Sequence, residues 1–311
     1  MWQARAVASR IAATGGPPCQ MVVVKTSGDH LQEAPLSEVG GKRLFVKEIE
    51  DALISGAIDL AVHSSKDMPV VSPSGLSIAG VLPREDPLDA VVLPLAEARR
   101  VSNLDDLVGL LGQTPTFGTS SVRRVAQLRR LFSGARFAPI RGNLDTRLGK
   151  LDAGTHSALV LAAAGLIRLG LGARIAMTLP ASACVPAPGQ GIVAVEIRDD
   201  DEPVRRIVET IDDEVANAAL RAERALVEAL GGGCQTPIGA LASPGEGDTL
   251  HLVAAVIALD GGRAVRAHGT APRSDAEGLG ARVAAALVND GAAEILAEAG
   301  RAHGAVAGIQ P

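Results

Sequence analysis

Three short stretches of the 311-residue chain combine residue types that can do chemistry. The first is Gly231-Gly232-Gly233-Cys234-Gln235-Thr236-Pro237-Ile238-Gly239. Glycines take backbone angles closed to other residues, so such a run can hold a thiol out on a tight turn as a nucleophile. A small buried thiol beside a glycine helix end is the plainer reading. The second stretch is His63-Ser64-Ser65-Lys66-Asp67-Met68-Pro69, which gathers hydroxyls, a cation and a carboxylate. Asp67 suits proton transfer or stabilisation of a cationic intermediate, with His63 orienting it. A turn in which Ser and Asp satisfy backbone groups is the alternative. The third is Gly118-Thr119-Ser120-Ser121-Val122-Arg123-Arg124, followed by Ile140-Arg141-Gly142-Asn143-Leu144-Asp145-Thr146-Arg147. Hydroxyls at a helix start, with guanidiniums beside them, make an anion site. Eight basic residues stand against the single acid Asp145 between Gly118 and Lys150. That island points to a ligand with several carboxylates or phosphates, while Arg129 and Arg130 fit a solvated helix face better.

The elements that must position these residues alternate. Met21 to Val24, Ala57 to His63 and Leu76 to Leu82 read as strands, with a helix over Val46 to Ser55 whose apolar face is Val46, Ile49, Leu53 and Ile54. Further strands are expected at Ala90 to Leu93, Pro115 to Phe117, Phe137 to Ile140 and Ala158 to Ala163. Helices are expected at Thr119 to Phe132, Asn143 to Ala153 and Leu166 to Leu169. This is α/β patterning in two units. Pro180 to Gln190 reads as a crossover, after which Ile192 to Ile197 can return to the first sheet. Val204 to Leu230 reads as helical, and a hairpin of Leu250 to Leu259 with Ala264 to Thr270 turns at Asp260-Gly261-Gly262. Ser274 and Glu277 have capping-box spacing for a following helix, completing a small α+β domain. The expected division is residues 1–86 with 184–200, then 87–183, then 201–311.

Composition narrows the function classes. The net charge is −5 and there is no Tyr and one Trp, which argues against nucleic-acid binding. No apolar run reaches a membrane span, and Met1 to Gly15 lacks the apolar block of a signal peptide. Cys19, Cys184 and Cys234 are too widely spaced for a zinc site or a disulfide framework, and the six His show no metal-ligand spacing. A cytoplasmic monomer without a metal is expected.

Several segments, in order, resemble the porphobilinogen deaminases: Gly41 to Glu48, Ala61 to Pro69, Arg84 to Pro87, Gly118 to Arg124, Ile140 to Leu151, Leu161 to Leu169, Pro186 to Gly191 and Gly231 to Gly239. The resemblance implies two lobes like those of periplasmic binding proteins, a cleft between them, and a third domain carrying a cofactor cysteine. It implies a transferase of porphyrin and haem biosynthesis that condenses four porphobilinogen molecules onto a dipyrromethane cofactor. Ammonia leaves at each addition, and hydrolysis releases hydroxymethylbilane. By the same resemblance Cys234 holds the cofactor through a thioether and Asp67 is the catalytic carboxylate. Arg123, Arg124, Arg141, Arg147 and Arg174 match arginines that bind acetate and propionate groups, supported by Ser120 and Ser121. Lys42, Ser64 and Lys66 match cofactor-contacting positions, and Gln190 lies in the hinge segment. Met1-Trp2-Gln3 resembles the tail of a family motif, Arg-x-Ser-x-Leu-Ala-x-x-Gln, so a preceding strand and an upstream start are expected. A non-catalytic two-lobed binding protein for a carboxylate or phosphate ligand is the competing expectation; it needs neither Cys234 nor Asp67.

Overall fold

The computed structural model describes residues 1–24, 43–233 and 236–307. The chain opens with α1 (Trp2–Ala13), α2 (Arg43–Ile54), β1 (Leu60–Ser64), a single 3-10 turn over Ser65–Asp67, and β2 (Leu76–Val81). It then forms β3 (Asp89–Val92), α3 (Leu104–Leu111), β4 (Thr116–Gly118), α4 (Val122–Leu131), β5 (Arg136–Ala138), α5 (Leu144–Asp152), β6 (Ala158–Ala162), α6 (Ala163–Arg168) and β7 (Ile175–Leu179). Next, β8 (Val193–Arg198) returns to the first sheet, where it lies between β1 and β2 and runs antiparallel to both. The second sheet has the order β5-β4-β6-β3-β7. After α7 (Glu202–Glu209) and α8 (Glu214–Ala229), the meander β9 (Ile238–Pro244), β10 (Thr249–Ile257) and β11 (Ala264–Pro272) forms a third sheet. Helices α9 (Ala276–Asn289) and α10 (Ala292–Ala307) close the described chain.

The second sheet is covered on both faces, which accounts for its continuous apolar strands. In β3, Val91 and the following Leu93 enter one core with Leu107, Phe117 and Leu128, while Ala90 and Val92 enter the other with Leu148, Leu159 and Leu166. Phe117 packs edge-on to Phe132 at 5.0 Å between centroids. In the first lobe, α2 lays Ile49 and Leu53 against Ala61 and Leu76. Ile54, expected on that face, points outward and is 57% exposed.

Other expectations change too. Met21, Val22 and Val23 are exposed and form no strand, because no ladder among the described residues takes them as partners. The helical stretch from Val204 breaks in two, since Asp213 caps a new helix by accepting from Ala216 N. The Ser274–Glu277 box does not form: Arg273–Asp275 is a 3-10 turn, and Asp275 stands at the cap position of α9 without a side-chain capping bond.

Candidate active site

The carboxyl end of β1 launches the turn that carries Lys66 and Asp67. Ser64 pairs with Val193 of β8, and Ser65 N donates to Ile192 O at 3.1 Å, so the turn leaves the sheet from a fixed strand end. Lys66 Nζ donates to Gln190 Oε1 at 3.4 Å. Gln190 is wholly buried and belongs to the segment that carries the chain back from the second sheet to the first. Its Nε2 donates to Pro87 O at 2.7 Å and to Asp89 Oδ1 at 3.0 Å.

Asp89 gathers the second lobe's charges. Arg123 Nη1 reaches Asp89 Oδ2 at 2.7 Å, and Arg124 reaches Asp89 Oδ1 through Nη2 at 2.7 Å and Nε at 2.9 Å. Both guanidiniums also donate to backbone carbonyls, Arg123 to Val185 O and Arg124 to Val160 O. Burial alone raises the Asp89 carboxyl, but the two guanidiniums and their hydrogen bonds, with Gln190, overcome it and hold the group far below the usual carboxylate range. Cys184 Sγ sits 3.3 Å from Asp89 Oδ2, and burial and that carboxylate push its thiol up to about 12, so it is a neutral hydrogen-bond donor. Two guanidiniums against one carboxylate leave a net positive charge at the carboxyl ends of β4 and β6, where open α/β sheets bind ligands.

Arg147 joins this cluster from α5. Its Nε donates to Gly142 O at 2.8 Å, and the group is half-buried. Burial and the field of Arg124 lower its pKa, and Asp67 from the other lobe partly restores it. Asp67 and Arg124 therefore both act on Arg147 across the join between the lobes. Ser120 Oγ bridges the backbone before Arg141, bonding both Ile140 N and Ile140 O at 3.2 Å, while Ser121 caps α4.

The C-terminal domain grips the same join. Glu223 of α8, wholly buried, accepts from Arg84 Nη1 at 2.6 Å, Gly189 N at 2.6 Å and Ala242 N at 2.7 Å. Helix α8 ends in a Schellman turn, with Gly231 at φ 61° and Gly232 N bonded to Val227 O. A left-handed residue there frees the chain to turn sharply towards Gly233, whose carbonyl accepts from Thr236 N and Thr236 Oγ1. Cys234 lies outside the described residues, as does Lys42.

Among known proteins, the profile of the porphobilinogen deaminase dipyromethane cofactor binding domain matches residues 1–206, and that of the porphobilinogen deaminase C-terminal domain matches residues 218–289. Porphobilinogen deaminases of Bordetella parapertussis and Bordetella bronchiseptica are each 44% identical over 300 residues, covering 96% of this chain and 92% of theirs. The chain belongs to the porphobilinogen deaminase family. Solved structures with some likeness include the Bordetella pertussis BvgS VFT2 domain double mutant, at TM-score 0.39 and 18% identity over 72% of this chain and 82% of that one. Another is the second substrate binding domain of a putative amino acid ABC transporter from Streptococcus pneumoniae, at TM-score 0.40 and 15% identity over 73% and 84%.

Of the residues that match the porphobilinogen deaminase pattern, Lys66, Gln190, Arg123 and Arg124 are linked through bonds that converge on Asp89, and Asp67 lies within the field of Arg147. Ser64 ends β1 before the turn, Ser121 caps α4, and Ser120 is bonded to the backbone before Arg141. Arg174 stands elsewhere. It precedes β7, whose first residue pairs with Val92, whereas Asp89 pairs with Leu179 at the far end of the same strand. Arg174 is bonded to Asp152 at 2.7 Å on that opposite rim. Arg168, at the end of α6, is the arginine that reaches the join instead: its Nη2 donates to Gly191 O at 2.7 Å and its guanidinium lies 5.3 Å from the Trp2 ring centroid. Arg168, Asp89, Arg84 and Glu223 join the site although no motif in the sequence singles them out; Arg84 and Arg168 lie inside segments that match the family, which is the available signal. Among the described residues no group of three or more His, Cys, Asp or Glu is placed to hold a metal, and no helix is long and apolar enough to cross a membrane.

Proposed function

We propose that the chain is a hydroxymethylbilane synthase, which joins four porphobilinogen molecules head to tail with loss of ammonia and releases the linear product by hydrolysis. Family membership, at 44% identity over 96% of the chain, carries this reading. The side chains around the join support it. Porphobilinogen bears an acetate and a propionate, and a net-positive cluster beside the half-buried Arg147 suits such a polycarboxylate.

The same donor set suits a dipyrromethane group, which when bound supplies the pyrrole end that the incoming substrate extends. Cys234 is the residue we assign to its thioether, with Lys42, Ser64 and Lys66 as its polar contacts. Arg147 and Arg141 hold substrate carboxylates. Arg123 and Arg124, tied to Asp89, contribute their field and keep the arginine helix in place. Ser120 and Ser121 fix the loops that present these arginines. Asp67 accepts pyrrole N–H bonds, opposes the positive charge that grows as ammonia departs, and carries a proton. Gln190 orients Lys66. Arg174, bonded to Asp152 on the opposite rim, is left out of the site. We further place the division between lobes near residues 86 and 184, the division before the C-terminal domain near residue 200, and the protein in the cytoplasm as a monomer.

Intact mass spectrometry of protein from cells that make porphobilinogen tests this. Two linked pyrroles are expected on the peptide containing Cys234, with colour from an aldehyde reagent for pyrroles; unmodified protein overturns the assignment. Asp67→Ala is expected to keep the fold and lose turnover by about a hundredfold or more. Turnover within about tenfold of the parent removes Asp67 from the mechanism.

A further inference from the structure

The first lobe encloses a pair of buried titratable side chains directly behind the Asp67 turn. Glu196 lies on β8, the middle strand of its sheet, and is 0% exposed; His63 on β1 is 6% exposed. His63 Nε2 stands 3.2 Å from Glu196 Oε2. The register pairs His63 with Ala194 and Ala61 with Glu196, so the two side chains are diagonal neighbours on one face. The same face is covered by α2, which packs Leu53 against Ala61 and carries the buried Glu50. Among the described residues, neither the Glu196 oxygens nor His63 Nε2 has a hydrogen-bond partner. His63 and Glu196 are thus polar neighbours in the dry interior of the lobe, where burial makes a polar neighbour costly to lose.

The position of the pair gives it a use. His63 is followed by Ser64, the last residue of β1, and then by the Ser65–Asp67 turn. The chain enters β8 from the Gly189-Gln190-Gly191 segment, whose Gln190 already holds Lys66. The His63–Glu196 contact adds a side-chain link to the β1–β8 ladder two residues ahead of the turn, on a strand that leads out of the crossover.

We propose that the buried His63–Glu196 contact is a positioning element for Asp67, setting the direction in which the catalytic turn leaves the sheet. This rests on Asp67 being the reacting carboxylate. The test uses cofactor-loaded protein, with loading checked by intact mass, and compares His63→Gln, Glu196→Gln and the double variant. Each single change is expected to lower kcat by roughly ten- to a hundredfold with KM within about twofold, because the binding arginines sit on the other lobe. The double variant is expected to be no slower than the worse single, since both remove one pair. His63→Lys, which sets a cation opposite Glu196, is expected to recover most of the lost kcat, and it serves also if His63→Gln fails to fold. Unchanged kcat in the glutamine variants, additive losses, a KM that rises in step, or no recovery in His63→Lys each overturn the proposal. Asp67→Ala measured alongside separates two failures. If it retains turnover, the assignment of Asp67 falls and the positioning role with it. If it is inactive while the glutamine variants keep full kcat, the pair alone is refuted.

Discussion

At the scale of single residues, Asp89 decides how the arginines of α4 behave. It is wholly buried and accepts from Arg123, Arg124 and Gln190. Removing its charge strands two guanidiniums in a dry interior, so Asp89→Asn is expected to lower unfolding free energy by about 3–5 kcal/mol in a urea titration. The folded-state pKa of Asp89 is depressed, so its contribution is present in full above the unfolded value near 4 and is lost progressively as pH falls below it. The parent is therefore expected to lose stability below about pH 4, and Asp89→Asn to show a shallower acid limb. The arginines were legible from their local context: a strand end, hydroxyls and a helix start. Asp89 was not, because a lone aspartate at the head of an apolar strand shows its role only when two residues from a distant helix arrive beside it.

At the scale of elements, the crossover segment does more than connect. Gly189 has φ 72°, and a Cβ there would lie 2.8 Å from Ser65 Cβ and 3.1 Å from Lys66 N. Gly189→Ala thus combines backbone strain with a collision against the Ser65–Asp67 turn. It is expected to cost about 2–4 kcal/mol and to lower turnover, read by denaturation and steady-state kinetics. Gly56→Ala is the contrast: φ is also 72°, yet nothing lies within 4 Å, so a smaller stability loss with unchanged turnover is expected. The apolar strands and the helices with clear caps could be read ahead of the structure, as with Ser121 and Asn143. Ile175–Leu179 and Ile238–Pro244 were missed, being short segments whose strand identity comes from neighbours: β3 in one case, β10 in the other. Trp2–Ala13 was missed because its buried face amounts to Val7 and Ile11. The Met21 to Val24 expectation failed for the converse reason, since an apolar run needs an edge to pair with.

At the scale of the whole molecule, the three sheets meet around a few polar groups. Arg84 links Gln190 O, Glu223 and Ala242 O, while Arg129 and Arg130, which composition suggested were solvated, donate to Leu259 O and Gly261 O of the hairpin between β10 and β11. Glu223→Gln leaves Arg84 without its counter-charge; about 3 kcal/mol or more of destabilisation is expected, with the C-terminal domain loosening from the lobes, measured by hydrogen exchange across α8 and β9. None of these joins is visible in periodicity, because each depends on residues more than a hundred positions apart, as with Arg84 and Glu223. The placement of β8 also dictates an order of events during synthesis. Strands β1 and β2 touch each other only through β8, whereas the strands of the second sheet run from Asp89 to Leu179 without interruption. A ribosome therefore delivers a second lobe that can close its sheet while the first lobe still waits for Val193–Arg198, with apolar edges uncovered over more than a hundred residues of translation. The Ser65–Asp67 turn, built on β1, is among the earliest of these sheet-borne segments to be made and among the last to acquire its shape.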